Sequence, residues 1–346
     1  LWFEPQTGNC KPQIFLMQPI EYYTTGILLL SVVVFIWLER KFPYTKGLSI
    51  LREGFWVDLI WYTLIQSYFL KIVIFDLIIT PADKAWHLSS HHLVGSWPIV
   101  GQVLFFLVIH DFYIYWFHRW QHNSRILWRT HEAHHSNKEV DWLAGTRSHS
   151  LEILINQTVE FAPIVLLGAN PMVVPIKALI DAVWGMYIHS NIDVRSGKLQ
   201  YFINGPEMHQ WHHANAREVF YANFATKFAI WDWLFGTAYL PGKKPQEFGL
   251  YYDYPKDYFL QHLSVVKKLD EEKLVSKYPL FQRYHTSRQR FLGWVKGMFA
   301  RPKPVISDQV ISERENVAPN HAPGEKINLS KKTSLLAEDA GSLSGK

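Results

Sequence analysis

The sequence predicts an all-α, integral-membrane helical bundle with a histidine-rich helical cap. Three observations predict it. Several apolar segments have spanning length, the chain carries 15 Trp, 17 Tyr and 22 Phe, and nine of its 17 histidines fall in short boxes just beyond the apolar segments. Trp and Tyr gather at the headgroup level of bilayers. Mean hydropathy is nonetheless close to zero, so a sizeable polar part must accompany the membrane part.

The first apolar segment runs from Tyr23 to Leu38 and stops at Glu39-Arg40-Lys41, just enough to span if the flanking residues snorkel. The second runs from about Phe55 to Thr80. It contains Asp58, Lys71 and Asp76, and acids inside a span normally face the bundle interior. The third covers about Ile99 to Phe117. A fourth region, Leu151 to Ile188, is broken at Gly168-Ala169-Asn170-Pro171, which reads as the turn of a helical hairpin. Lys and Arg concentrate after segments one and three (Arg40, Lys41, Lys46 and Arg52; Arg119, Arg125 and Arg129), whereas Lys84 alone lies between segments two and three. The positive-inside rule then makes the face after segments one and three cytoplasmic. Every histidine box lies on that face.

The domain division expected is 1–96 for N-terminal membrane segments, 97–240 for the catalytic part, 241–301 for a cytoplasmic extension and 302–346 for a disordered tail. The net charge is +5, but no run of Lys and Arg is dense enough for a nucleic-acid site. Cys10 is the single cysteine, which excludes internal disulfides and cysteine metal sites. Leu1 to Lys11 does not read as a cleavable signal peptide.

The boxes are His118-Arg119-Trp120-Gln121-His122, His131-Glu132-Ala133-His134-His135, a lone His189 before Ser190, and His209-Gln210-Trp211-His212-His213. Spacings of three and four bring side chains to one side of a helix. One such HxxHH pattern arises by chance in roughly four chains of this length in a hundred, and two are far rarer. Nine imidazoles exceed what one four-coordinate ion takes; two ions with four or five ligands each would use the set. Imidazole suits iron, zinc and copper, and among these a redox metal can activate oxygen toward an unactivated C–H bond. His110 and His149 stand outside the boxes, where a hydrogen-bonded core role is as good a reading as a functional one.

The order HRxxH, HxxHH, lone His and HxxHH resembles the fatty acid hydroxylase/sterol desaturase superfamily, and most closely its sterol-desaturase-like branch. Asp111 through Tyr115-Trp116-Phe117-His118-Arg119, Asn204-Gly205-Pro206, and Trp231-Asp232-Trp233-Leu234-Phe235-Gly236-Thr237 add to the likeness, which covers about residues 97–240. The resemblance implies two iron ions held by His118, His122, His131, His134, His135, His189, His209, His212 and His213. It also implies O2 as co-substrate, a lipid substrate (sterol, fatty acyl, ether lipid or carotenoid) to be hydroxylated or desaturated, and a separate electron donor. That donor is a cytochrome, ferredoxin or reductase, or a reduced pterin. Asp111, His149 and Glu152 become candidates for orienting the imidazoles through their second ring nitrogen. The membrane is then a bacterial inner membrane or the endoplasmic reticulum.

Two rival readings come from the same residues. His131-Glu132-Ala133-His134-His135 is literally H-E-x-x-H, the zinc metalloprotease signature in which His131 and His135 bind zinc and Glu132 activates water. That leaves six boxed histidines outside the three-ligand site without a role. A non-catalytic metal binder or transporter should place its ligands along a pathway at bilayer depth, whereas these boxes follow the ends of the spans.

Overall fold

The computed structural model describes residues 19–299, residue 268 excepted; the expected disordered tail and Cys10 lie outside the described residues. The described chain is helical, with two isolated β-bridges and no strand. Three helices are long and apolar enough to cross a membrane: α1 (Pro19–Lys41), α2 (Val57–Trp86) and α3 (Ile99–Asn123). All three predicted segments are present, and each helix runs past its predicted end. α1 continues through Glu39-Arg40-Lys41, whose basic residues suit a helix C-terminus. It exposes Leu29, Leu30, Val33 and Trp37, as a lipid-facing surface would. Much of α2 is wound in wide π-type turns. Its Asp58 is fully buried but lies at the first turn, ion-paired to Arg52 and Arg147, each within 2.8 Å. It is thus a packed polar contact.

After a short helix α4 (Arg125–His131), the hairpin predicted from Gly168 appears as α5 (Ser150–Leu166) and α6 (Val173–His189). Gly168 adopts φ +65°, a left-handed conformation that glycine takes without penalty. A Cβ there would strike the backbone of Ser89 and His92. Apolar side chains of α2, α3, α5 and α6, including Ile74, Phe106, Leu107, Phe161 and Ile164, form one core cluster. A second joins α1, the start of α2 and α6 through Phe35, Phe55, Leu143 and Met186. The last box sits on α7 (Pro206–His212), started by a proline whose missing N–H is no loss at that position.

The chain divides into a compact unit up to Gln282 and a second from Arg283. The described part of the second, residues 283–299, is the remainder of the helix Pro279–Phe299. The first unit contains every site residue discussed below.

Candidate metal centre

α3 presents His118 and His122 one turn apart at its end, and α4 ends on His131, so the chain reverses with two boxes facing each other. His189 closes α6, and α7 supplies the last box. The nine boxed histidines converge into two groups. His118, His122, His131, His135 and His212 bring one ring nitrogen each within 4.8 Å of one another; so do His134, His189, His209 and His213.

The division follows a helical rule. Residues i and i+4 lie about 40° apart around a helix, and residue i+3 lies about 60° to the other side. Accordingly His131 and His135 join the first group while His134 turns to the second, and His209 and His213 join the second while His212 turns to the first. Each HxxHH box therefore serves both groups, in reciprocal fashion.

Backbone carbonyls fix the rings. The Nδ1 of His118 donates to Phe224 O (2.8 Å), that of His122 to Phe220 O (3.0 Å) and that of His212 to Ala222 O (2.8 Å). These three carbonyls belong to alternate residues of one segment. Asp232 anchors that segment by accepting from Phe224 N, Ala225 N and the Thr237 hydroxyl. Burial raises the Asp232 carboxyl to about 6, so it is largely ionised at neutral pH. Asn223 sits in the same segment at φ +58° and bonds Tyr239 and the Met208 carbonyl. In the second group, Nδ1 of His134 donates to Arg147 O (3.1 Å) and that of His189 to Gly185 O (2.8 Å). Burial, reinforced by neighbouring imidazoles, holds His131, His135, His209, His212 and His213 well below the usual histidine range, so these rings are neutral.

A carbonyl oxygen only accepts, so each Nδ1 bound to one carries the single proton of a neutral imidazole. The opposite Nε2 is then a bare lone pair. Yet His118 Nε2 and His131 Nε2 lie 3.0 Å apart, the latter on a ring whose Nδ1 is tied to Glu152 Oε1 at 2.8 Å. His134 Nε2 and His189 Nε2 lie 3.3 Å apart. The Nε2 atoms of His122, His135 and His212 are buried without a hydrogen-bond partner among the described residues. Facing lone pairs repel, and buried unsatisfied nitrogens cost about 1–3 kcal/mol each. A cation at each centre removes both penalties. The donor set therefore fits two metal ions, one ringed by five imidazoles and one by four.

The three candidate orienting residues have distinct places. Glu152 contacts His131 directly. Asp111 acts one step away: it accepts from the Thr226 hydroxyl, Lys227 N, Phe228 N and Trp231 Nε1, fixing the chain beyond Phe224. His149 touches no boxed ring among the described contacts. It caps α5 by accepting from Leu151 N, and it stacks on His262. Glu132 accepts from the Tyr252 hydroxyl at 2.9 Å and pairs with Arg129 at 3.7 Å.

Sequence reasoning did not single out Gly145, although a Cβ there would collide with the His189 ring. Nor did it find the carbonyls of residues 220, 222 and 224, since a backbone ligand-orienting role leaves no side-chain signature. Asp232 was marked only by its family-like surroundings. A third group of ligand-type side chains, His110, Glu160 and Asp181, also gathers its donor atoms within 4.8 Å. Its centre is already filled: Lys177 Nζ lies 2.7 Å from Glu160 Oε1, 2.6 Å from Asp181 Oδ2 and 3.2 Å from His110 Nδ1.

The chain belongs to the fatty acid hydroxylase family, whose profile matches residues 103–237. It is 30% identical over 263 residues to the ornithine lipid hydroxylase OlsE of Rhizobium tropici, covering 73% of this chain and 79% of that protein. Alkylglycerol monooxygenase of Homo sapiens is 31% identical over 127 residues, 37% of this chain and 28% of the human protein. Methylsterol monooxygenase 1 of Rattus norvegicus is 33% identical over 132 residues, 38% of this chain and 44% of the rat protein. No solved structure matches the chain. As a member of this family the chain is an oxygen-dependent oxidoreductase of the membrane.

Proposed function

We propose that the protein is a di-iron oxygenase that inserts oxygen into, or desaturates, a membrane lipid, with the nine boxed histidines as iron ligands and the centre facing the cytoplasm. The observation that carries this reading is the pair of facing Nε2 contacts, His118 with His131 and His134 with His189, one in each cluster. The relatives named above are described as acting on ornithine lipid, alkylglycerol and methylsterol; a lipid is the shared theme.

Two redox metals, when bound, supply the activation of O2. The protein supplies the rest. The carbonyls of residues 220, 222 and 224 lock the rings of His122, His212 and His118 so that each Nε2 is the ligating atom. Glu152 does the same for His131 through its Nδ1; burial raises this carboxyl, and a bound cation would hold it as a carboxylate. Buried Phe224 and Tyr115 back the first cluster, limiting water around an oxidising centre. A separate donor supplies electrons. The positive charge flanking α1 and α3 supports the cytoplasmic side.

The test is incubation of the iron-loaded, detergent-purified protein with a reductant, 18O2 and an extract of membrane lipids, read by mass spectrometry. The proposal expects a lipid that gains one 18O atom or loses two hydrogens, dependent on O2. Release of peptides from a co-purified membrane protein, with no oxidised lipid, would favour the H-E-x-x-H protease.

A further inference from the structure

The helix Pro279–Phe299 carries Arg283, Arg288, Arg290 and Lys296 and no Asp or Glu. Charge of one sign does not by itself name a partner, but here it borders an apolar stripe. At about 100° per residue, Leu280, Tyr284, Phe291 and Trp294 fall within an arc of about 80°. All four are exposed, Leu280 at 77% and Trp294 at 62%. Arg283 and Arg290 are exposed too, and both fall about 20–40° beyond Trp294, at one edge of that arc. Gln282 and Gln289 occupy the opposite side of the helix.

Twenty-one residues are enough to cross a hydrocarbon core, but four cations spread along the helix forbid crossing. Lying in the interface suits both faces. The apolar stripe enters the acyl boundary while the guanidinium groups stay among phosphates, and Tyr and Trp favour that depth. Proximity selects the same occupant. The chain is already held in a bilayer by α1, α2 and α3, so the membrane surface meets this helix at high effective concentration. Among the described residues, no helix between His189 and Pro279 is longer than seven residues. The chain therefore does not recross the membrane there, and the helix meets the leaflet on the side of the histidine boxes. In the orientation proposed above, that leaflet is the anionic cytoplasmic one.

We propose that Pro279–Phe299 is a membrane-surface helix that binds anionic phospholipid. Leu280, Tyr284, Phe291 and Trp294 insert between acyl chains, and Arg283 and Arg290 sit on lipid phosphates. The contact needs neither metal nor turnover, so it is independent of the oxygenase reading.

The test uses the full chain with its single cysteine removed by Cys10→Ser and a nitroxide attached through Phe291→Cys or Gln289→Cys. Each labelled chain is placed in nanodiscs of phosphatidylcholine alone or mixed with phosphatidylglycerol. Collision of the label with dissolved O2, compared with a water-soluble nickel reagent, reports its depth. In anionic discs the label at position 291 should pass from water into the acyl region, while the label at 289 stays in water. Salt at about 1 M, which shortens the Debye length to about 3 Å, should reverse the transfer. Arg283→Gln combined with Arg290→Gln should lower the docked-to-free ratio at least about tenfold, with metal content per chain unchanged to show an intact bundle. Equal shielding at 291 in both lipids would mean that the chain covers its own face, and water exposure in both would mean no bilayer contact. Shielding that grows with the number of chains per disc would assign the face to a second copy. Each of these three results would overturn the proposal.

Discussion

Two regions of this bundle look alike by distance and behave differently by charge. The boxed histidines and the His110–Glu160–Asp181 group both gather buried ligand atoms within 4.8 Å. In the first region, lone pairs point at one another and several ring nitrogens lack a hydrogen-bond partner among the described residues. In the second, the ammonium of Lys177 occupies the centre and meets His110 Nδ1, Glu160 Oε1 and Asp181 Oδ2, leaving His110 Nε2 without a hydrogen-bond partner among the described residues. Proximity of ligand types therefore does not define a metal site; a missing cation does. The protein supplies its own cation in one place; in the other the proposed metal ions would supply it.

The sharpest way to break this contrast is to remove a ligand from either histidine cluster. His212→Ala and His134→Ala should each lower lipid oxidation by more than about 100-fold, the upper end of what loss of a mere orienting partner costs; turnover assays on equal amounts of folded protein check this. Removing the internal cation should act on stability instead. Lys177→Met strands Glu160, while Asp181 keeps Lys227 at 2.8 Å, and should destabilise the fold by about 3–5 kcal/mol, as loss of one member of a buried ion pair does. Unfolding in detergent reads that loss, and metal content per folded chain should stay at the wild-type value.

Smaller effects sharpen the same picture. Glu152→Gln keeps the shape but removes the charge beside His131 Nδ1, and should weaken metal binding or activity by about 10- to 100-fold, measured by competition with a chelator. Glu132→Gln removes a charge that accepts from Tyr252 and pairs with Arg129 at 3.7 Å; it should lower stability by about 1–3 kcal/mol and leave activity within about twofold. Abolished activity in that variant would instead give Glu132 the role that H-E-x-x-H assigns it.

Much of this was legible in the residues. The four apolar regions, the Gly168 turn and all four boxes were readable because periodicity, a left-handed glycine and histidine spacing are local signals. The assignment of His134 and His212 to clusters other than those of their own box-mates was also latent in the 3.6-residue repeat. It needed a known orientation of two helices to become visible. The orienting groups were harder. Asp111 and Glu152 lie near the boxes in sequence and were natural candidates, but Asp111 serves the 226–231 segment, and His149 serves a helix start. Carbonyls of residues 220, 222 and 224 carry no side-chain label at all. The ion network of Arg52, Asp58, Asp141 and Arg147 joins residues up to 89 positions apart, beyond the reach of local pattern.

The most direct measurement is metal content per chain in detergent-purified protein after anaerobic iron loading, for the wild type and for His134→Ala and His212→Ala. The account predicts two irons in the wild type and one in each variant, since the substitutions empty different clusters. One zinc and no iron in the wild-type protein would contradict it.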